Sequence, residues 1–455
     1  MKLISTNPST GEEIGSVEST TPAEIDKIVA KAKQAQNNWA KMPLQKRITA
    51  VESFVKVSEG RRDEIAELIA RETGRTIESS YGNVDGGFRY FRAYCSQAEK
   101  YLAPTIFNKT TEMRHEPHGV VAAICPWNYP FMNVAWQCGQ ALIAGNAIVY
   151  KNSELNPMFA KLLAELVAQS DLPDGIFSVI FGDGKIGEYL ARSDVDMISF
   201  TGSSATGRKL AAIAGEKLIP IAAELGGSAP LIIFEDFEID DEFFEYIWQR
   251  RFKVTGQACD AVKRLIVHKS KFNEVVTRLA KLIAKKKVGD AMDETVDMGP
   301  LISLKQLEKL EAQVFDAVKK GAKVICGGAR PASLANGGGQ FYEPTLLANI
   351  SRDMKVWREE TFGPVLPVVS FDTEDEAIDL ANDTEYGLNA HVFTNDAAKF
   401  ARAADQIKVG MIGQNYASIW DPELPFGGAK SSGLGRTHGA TGWAEVTEIK
   451  VVARS

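Results

Sequence analysis

Cysteine and histidine are both scarce in this chain, five of each among 455 residues. Cys95, Cys125, Cys138, Cys259 and Cys326 form no C-x-x-C pair and share no metal-ligand spacing with a histidine, so no metal is assigned. Their odd number argues against a complete disulfide framework. No apolar run reaches membrane-spanning length, and residues 1–8 lack the apolar core of a secretory signal. Basic residues are not in excess either. With 52 Lys and Arg against 59 Asp and Glu the net charge is −7, which leaves no footprint for nucleic acid and little attraction to anionic membranes. Repeats and low-complexity tracts are absent. These absences predict a reduced, cytoplasmic protein with a small-molecule partner.

The sequence has length and ordinary globular composition. At 45% hydrophobic and 24% charged residues, 455 residues suffice for two or three domains with substantial cores. Residues 22–103 read as helices. Pro22 opens one behind Thr21, a good N-cap, and others run over 46–58 and 63–71. After Gly119 short apolar runs alternate with helical segments: 120–125, 131–144, 147–150, 159–170, 176–181, 197–200, then a helix from about Thr206. This alternation means βαβ units and a parallel sheet. It starts afresh from about Ser228, with strands at 230–234 and 265–268, a helix at 272–286, and further segments at 305–321, 324–326 and 374–382. Residues 337–339 mark an exposed glycine loop, and glycine-rich turns after Lys430 lead to a terminal strand at 445–452. The fold class is α/β, with the site expected in the cleft between two α/β units.

Cys259 stands in Gly-Gln-Ala-Cys, after a turn and before a β-rich run, where a thiol can be both held and reached. Glu224 ends an apolar strand in Glu-Leu-Gly-Gly, two glycines clearing space beside a carboxylate able to act as a base. Taken alone, Cys259 reads first as a small buried hydrophobe, and the case for chemistry rests on its company. Gly182-x-Gly184-x-x-Gly187 follows a strand and opens a helix, the context in which glycines admit a pyrophosphate. Gly202-Ser203 links another strand to a helix start, a second anion site, though Arg208-Lys209-Leu210 rules out a P-loop. Two such loops make a dinucleotide the leading ligand. Lys151 and Glu154 follow a strand and are placed either to meet ribose hydroxyls or as a solvated pair. Asn128, between Pro126 and Pro130, is either an oxyanion amide or turn chemistry.

Together Pro-Trp-Asn-Tyr-Pro, Phe-Thr-Gly-Ser, Glu-Leu-Gly-Gly, Gly-Gln-x-Cys, Glu-x-Phe-Gly-Pro and Pro-Phe-Gly-Gly-x-Lys, in this order, resemble the aldehyde dehydrogenase superfamily along the whole chain. The resemblance implies a Rossmann-type cofactor domain (1–108 and 119–227), a second α/β catalytic domain (228–429) and a small β extension (109–118 and 430–455) that binds a neighbouring subunit in a homodimer or homotetramer. It makes Cys259 the nucleophile, Glu224 the base for the hydrolytic water and Asn128 the oxyanion amide. It assigns NAD, with NADP as the alternative, to Trp127, Lys151, Glu154, Gly184, Gly202, Ser203, Glu360 and Phe362.

The chain departs from the family pattern near the nucleophile. Val254 replaces a frequent Asn, and Lys253 replaces a frequent aromatic of the substrate channel. Trp136 stands where many succinate semialdehyde dehydrogenases place an arginine. The expected channel is therefore Tyr129, Trp136, Trp420 and Phe426 with one cation, Lys253. The short N-terminus and Lys263-Arg264 are most similar to succinate semialdehyde dehydrogenase-type members, which makes that aldehyde the expected substrate and a broad-specificity enzyme the alternative. A CoA-acylating relative would tend to lack the base, so Glu224 favours hydrolysis. A non-catalytic protein on the same scaffold would not need Cys259, Glu224 and Asn128 together.

Overall fold

In the computed structural model, which describes residues 1–334 and 337–455, the chain builds two parallel-stranded sheets that meet end to end. The helices before them follow local rules. Thr21 caps Pro22–Trp39 through a reciprocal box, its hydroxyl accepting from Glu24 N and its own N–H donating 2.7 Å to Glu24 Oε2. Leu44–Glu59 and Arg62–Thr73 come next, then Ile77–Leu102, a 26-residue helix that carries glycines in its interior. Those glycines admit neighbours: a Cβ on Gly87 would lie 2.5 Å from Phe131 Cδ1.

Five strands, Val120–Ile124, Ala147–Lys151, Phe177–Ile180, Met197–Thr201 and Ile221–Glu224, form a parallel sheet. Val120–Ile124 lies at its centre, flanked by Ala147–Lys151 on one side and Met197–Thr201 on the other. The chain therefore reverses direction across the sheet at that strand, and a crevice opens at the carboxyl ends there. Gly433–Leu434, expected in the β extension, instead pairs antiparallel with Ile221–Glu224 at this sheet's edge.

The second sheet holds Thr345–Ala348, Val365–Phe371, Val262–His268, Ala229–Ile233, Asn389–Phe393 and Met411–Gln414 in parallel, with Lys323–Cys326 antiparallel at one edge. Glu224 ends a strand of the first sheet, and five residues later Ala229 begins a strand of the second. Cys259 precedes Val262–His268 in the same way. The carboxyl ends of one sheet thus face the amino ends of the other, with Glu224 and Cys259 at the segments between.

Two expectations are corrected. Residues 131–144 are not one regular helix, because Ala135–Gly139 forms a π turn between Pro130–Val134 and Gln140–Ala144. Wider turns of this kind favour functional sites, and this one carries Trp136. The terminal strand begins at Thr447 rather than Glu445, because Gly439–Glu445 is a helix that buries Trp443. That strand pairs with Thr111–Pro117, which pairs with Thr105–Ile106. Among the described residues no helix is long and apolar enough to cross a membrane.

Candidate active site

The turn before Cys259 is held from three sides. Thr255 adopts φ 52° and Gly256 φ +68°, and a Cβ on Gly256 would lie 2.2 Å from the Gly363 carbonyl, so only glycine fits there. Thr255 Oγ1 donates 3.0 Å to Gly299 O. Arg251, fully buried, donates to the carbonyls of Thr361, Gly363 and Val365, and burial lowers its pKa to about 9. The loop carrying Glu360 and Phe362 is thereby tied to the helix that leads into the Cys259 turn.

Asn128 Nδ2 donates 2.9 Å to the carbonyl of Gln257, two residues before Cys259. One amide proton is spent on that bond, which orients the other. Gln257 is fixed in turn, its Oε1 accepting 3.1 Å from Ile302 N. Behind Asn128 stands Arg75, buried with no carboxylate within ion-pair distance among the described residues. It donates 2.7 Å to the Asn128 carbonyl and 2.9 Å to Ser79 Oγ, and its guanidinium lies 4.4 Å from the Tyr129 ring centroid.

Burial pushes the Cys259 thiol well above its usual range; Asp260, Glu360 and Glu224 add to the push, and Lys263 opposes it. The sulfur-bearing residue is nonetheless only half-buried and lines a cavity with Asn128, Glu360 and Phe362. Glu224 is buried more deeply. Its Oε1 lies 2.7 Å from where a Cβ on Gly427 would stand, and Oε2 has no hydrogen-bond partner. Burial raises its pKa well above the carboxylate range, Arg436 opposes the rise and Glu445 adds to it. Glu224 makes no hydrogen bond to Cys259 among the described residues, and it does not line the thiol's cavity. It sits one residue behind Leu225 and Gly226, which do.

All eight expected cofactor residues lie along two adjoining cavities. Trp127, Gly202, Ser203, Glu360 and Phe362 line the one containing Cys259; Lys151, Glu154 and Gly184 line the other, which shares Pro126, Trp127, Thr201, Gly202 and Ser203 with it. Lys151 Nζ is 3.5 Å from Glu154 Oε2 at the end of its strand. Trp127 meets Phe362 edge to face at 5.7 Å. The Gly182–Gly187 motif contributes less than its pattern suggests, because Asp183 accepts from the amides of Lys185 and Ile186 and so occupies donors a pyrophosphate would use. Where the cavities meet, a Cβ on Gly202 would strike Phe200 Cζ at 2.4 Å, and in the Cys259 cavity one on Gly226 would strike Glu360 Oε2 at 2.6 Å. Bare backbone flanked by a ribose-binding type of carboxylate fits a dinucleotide.

The expected channel divides. Tyr129, Trp136 and Phe426 form one wall, with Tyr129–Trp136 centroids at 5.7 Å. Trp420 stacks instead on His391, with the Arg250 guanidinium 3.7 Å from its ring centroid. Lys253 is corrected: its ammonium lies 3.6 Å from Glu78 on the surface and lines neither cavity. His438 and Tyr90 join the aromatic wall unforeseen, each within 5.9 Å of Trp136. Lys263 was legible only as part of a basic pair, yet two consecutive cations in a buried strand already signal a buried partner.

The aldehyde dehydrogenase family pattern matches residues 2–452. The chain belongs to the aldehyde dehydrogenase family. It is 36% identical over 467 residues to aminoaldehyde dehydrogenase 1, peroxisomal, of Pisum sativum, covering all of this chain and 92% of that one. It is likewise 36% identical over 462 residues to the chloroplastic betaine aldehyde dehydrogenase of Amaranthus hypochondriacus, covering 98% and 92%. Among solved structures it resembles a Mycobacterium tuberculosis aldehyde dehydrogenase complexed with NAD+ (TM-score 0.93, 34% identity, 100% and 95% covered). It also resembles a Staphylococcus aureus betaine aldehyde dehydrogenase in complex with NAD+ (TM-score 0.94, 32% identity, 99% and 91% covered). This aldehyde dehydrogenase is an NAD(P)-dependent aldehyde oxidoreductase with the fold of those enzymes.

Proposed function

We propose that this enzyme oxidises an aldehyde bearing a cationic group to its carboxylic acid, through a thiohemiacetal and then a thioester on Cys259. The Cys259 thiolate adds to the carbonyl, and the second Asn128 amide proton stabilises the oxyanion. A bound nicotinamide dinucleotide supplies the hydride acceptor. Lys151, Glu154 and Glu360 hold its ribose hydroxyls, and Trp127 and Phe362 flank its nicotinamide end. Glu224, rotated toward Cys259 from its resting place beside Gly427, takes a proton from the water that hydrolyses the thioester.

The observation that carries the substrate class is Asp260. It follows the nucleophile directly, has no ammonium or guanidinium within ion-pair distance among the described residues, and raises the pKa of Cys259, Tyr90 and Tyr129. An unpaired carboxylate whose charge reaches Cys259, Tyr90 and Tyr129 suits an ammonium, which ring quadrupoles also attract. The names of the two plant relatives agree with this reading. A second reading, succinate semialdehyde, has Arg250 in its favour, a guanidinium with no ion pair among the described residues. Arg250 acts on Tyr246 and His391, however, and not on Cys259.

A kcat/KM panel of 4-aminobutanal, betaine aldehyde, butanal and succinate semialdehyde tests both. Cationic aldehydes should exceed butanal by about tenfold or more, the worth of one charge-assisted contact. Asp260→Asn should erase the preference through KM. Succinate semialdehyde as the best substrate, unaffected by Asp260→Asn, would overturn this reading for the anionic one. The exposed Ile449 and Val451 on the terminal strand support pairing with a second copy, as in a dimer or tetramer.

A further inference from the structure

Lys263 is a fully enclosed charge next to the reaction, its side chain 1% exposed. All three of its ammonium protons are committed, each at 2.8 Å: to the Cys259 carbonyl, the Gly227 carbonyl and Glu360 Oε1. Glu360 Oε1 also accepts 3.0 Å from Gly227 N. A single cation therefore joins the nucleophile's peptide, the segment running from the base, and a carboxylate that lines the cavity.

A buried ion pair that served packing alone could be replaced by apolar side chains at little loss. This pair is asymmetric in a way packing does not require. One member touches the peptide of Cys259 and is sealed from water; the other is 17% exposed in the cavity where a cofactor ribose would lie. We propose that Lys263 is a positioning residue that carries the state of Glu360 to the nucleophile: with Glu360 unliganded the pair neutralises itself, and with Glu360 engaged by ribose hydroxyls more of the ammonium's charge reaches the sulfur. The inference rests on the cofactor reading above. Around Cys259, Lys263 lowers the thiol pKa while Glu360 raises it, so the two act in opposite senses at one atom. On ligand arrival the thiol proton leaves to solvent and the thiolate is ready only when the cofactor is in place.

The test reads the thiol directly. Alkylation of Cys259 by iodoacetamide, followed on its own peptide by mass spectrometry, gives a pH midpoint for each variant. Lys263→Met should raise the midpoint by about one pH unit or more, and Glu360→Gln, which keeps the acceptor but removes the countercharge, should lower it by a similar amount. ADP-ribose carries the ribose without the charged nicotinamide. It should lower the wild-type midpoint and leave both variants unmoved, whereas AMP should have no effect. A merely structural Lys263 would move both variants the same way or neither, and either result would overturn the proposal. So would ADP-ribose that quenches tryptophan fluorescence yet leaves the wild-type midpoint in place. Failure of ADP-ribose to bind at all would instead sink the cofactor reading, while the opposite shifts of the two variants would still decide the role of Lys263.

Discussion

The rings of Trp136 and Phe426 stack, with centroids 6.3 Å apart and planes 14° from parallel. Tyr129 leans on Trp136 from one side, and His438 stands beside the pair, 5.9 Å from both Trp136 and Phe426. His438 is buried and held neutral, its pKa lowered to about 3 by burial, so it adds a flat face and no charge. A wall of this kind holds a cation by its faces. Phe426→Ala should therefore lower kcat/KM for betaine aldehyde by roughly tenfold, an aromatic–cation contact being worth about 1–2 kcal/mol when desolvated. Butanal should lose about threefold. Equal losses for the two aldehydes would assign the wall to shape alone.

Glu224 is lifted out of the carboxylate range by burial, and the base form exists only above its folded pKa. Deacylation should accordingly rise with pH through that value and fall below it. Arg436 opposes the lift and Glu445 adds to it, so the rising limb should move to higher pH in Arg436→Met and to lower pH in Glu445→Gln. Glu224→Gln should give a burst of about one NADH per site and then stall at the thioester, while Cys259→Ser should give neither burst nor turnover. Rapid-quench kinetics over pH separate these outcomes. Intact folding without a burst in Glu224→Gln would shift its role to an earlier step.

Much of this was legible in the residues because the chemistry sits at chain crossings. The strands ending in Lys151 and Glu224 and the run after Cys259 show as apolar segments, and the polar residue at each end marks the cleft. What stayed hidden depends on long-range packing. The helix Ile77–Leu102 lies within the stretch read as helical, but nothing in the sequence shows that its glycines receive Phe131 and Met132. Lys253 looks like a channel residue by its distance from Cys259, but Glu78, 175 positions earlier by their numbers, captures it. Glycine pattern alone also overstates Gly182–Gly187, since a single Asp183 side chain occupies the amides that matter.

Arg75 supports Asn128 from behind, through its 2.7 Å bond to the Asn128 backbone carbonyl and its contact with Tyr129. Arg75→Met would leave that carbonyl unpaired in a buried place, a cost of about 1–3 kcal/mol that falls on the geometry of Asn128. The expected result is a loss of about tenfold to a hundredfold in kcat, with NAD affinity unchanged in a fluorescence titration. Arg75→Lys should recover part of the rate by restoring one donor. A fall in NAD affinity equal to the fall in kcat would place Arg75 in the support of the whole cleft rather than of Asn128.

The last prediction concerns the choice between NAD and NADP. Glu154 is 45% exposed at the carboxyl end of the Ala147–Lys151 strand, and the ammonium of Lys151, 3.5 Å away, is nearly buried beneath it. A carboxylate so placed accepts from both hydroxyls of an adenosine ribose and repels a phosphate on one of them. Lys151 works in the other direction, but burial already lowers its pKa and Glu154 is the countercharge that raises it, so the cation is spoken for. The repulsion between like charges at a half-exposed site is on the order of 1–3 kcal/mol, which sets a preference for NAD of about tenfold to a hundredfold in kcat/KM. Glu154→Ser removes the repulsion and leaves Lys151 free to meet a phosphate, so it should gain with NADP as it loses with NAD. A wild type faster with NADP, or a Glu154→Ser variant that gains nothing with NADP, would show that the ribose is read by other residues of the groove.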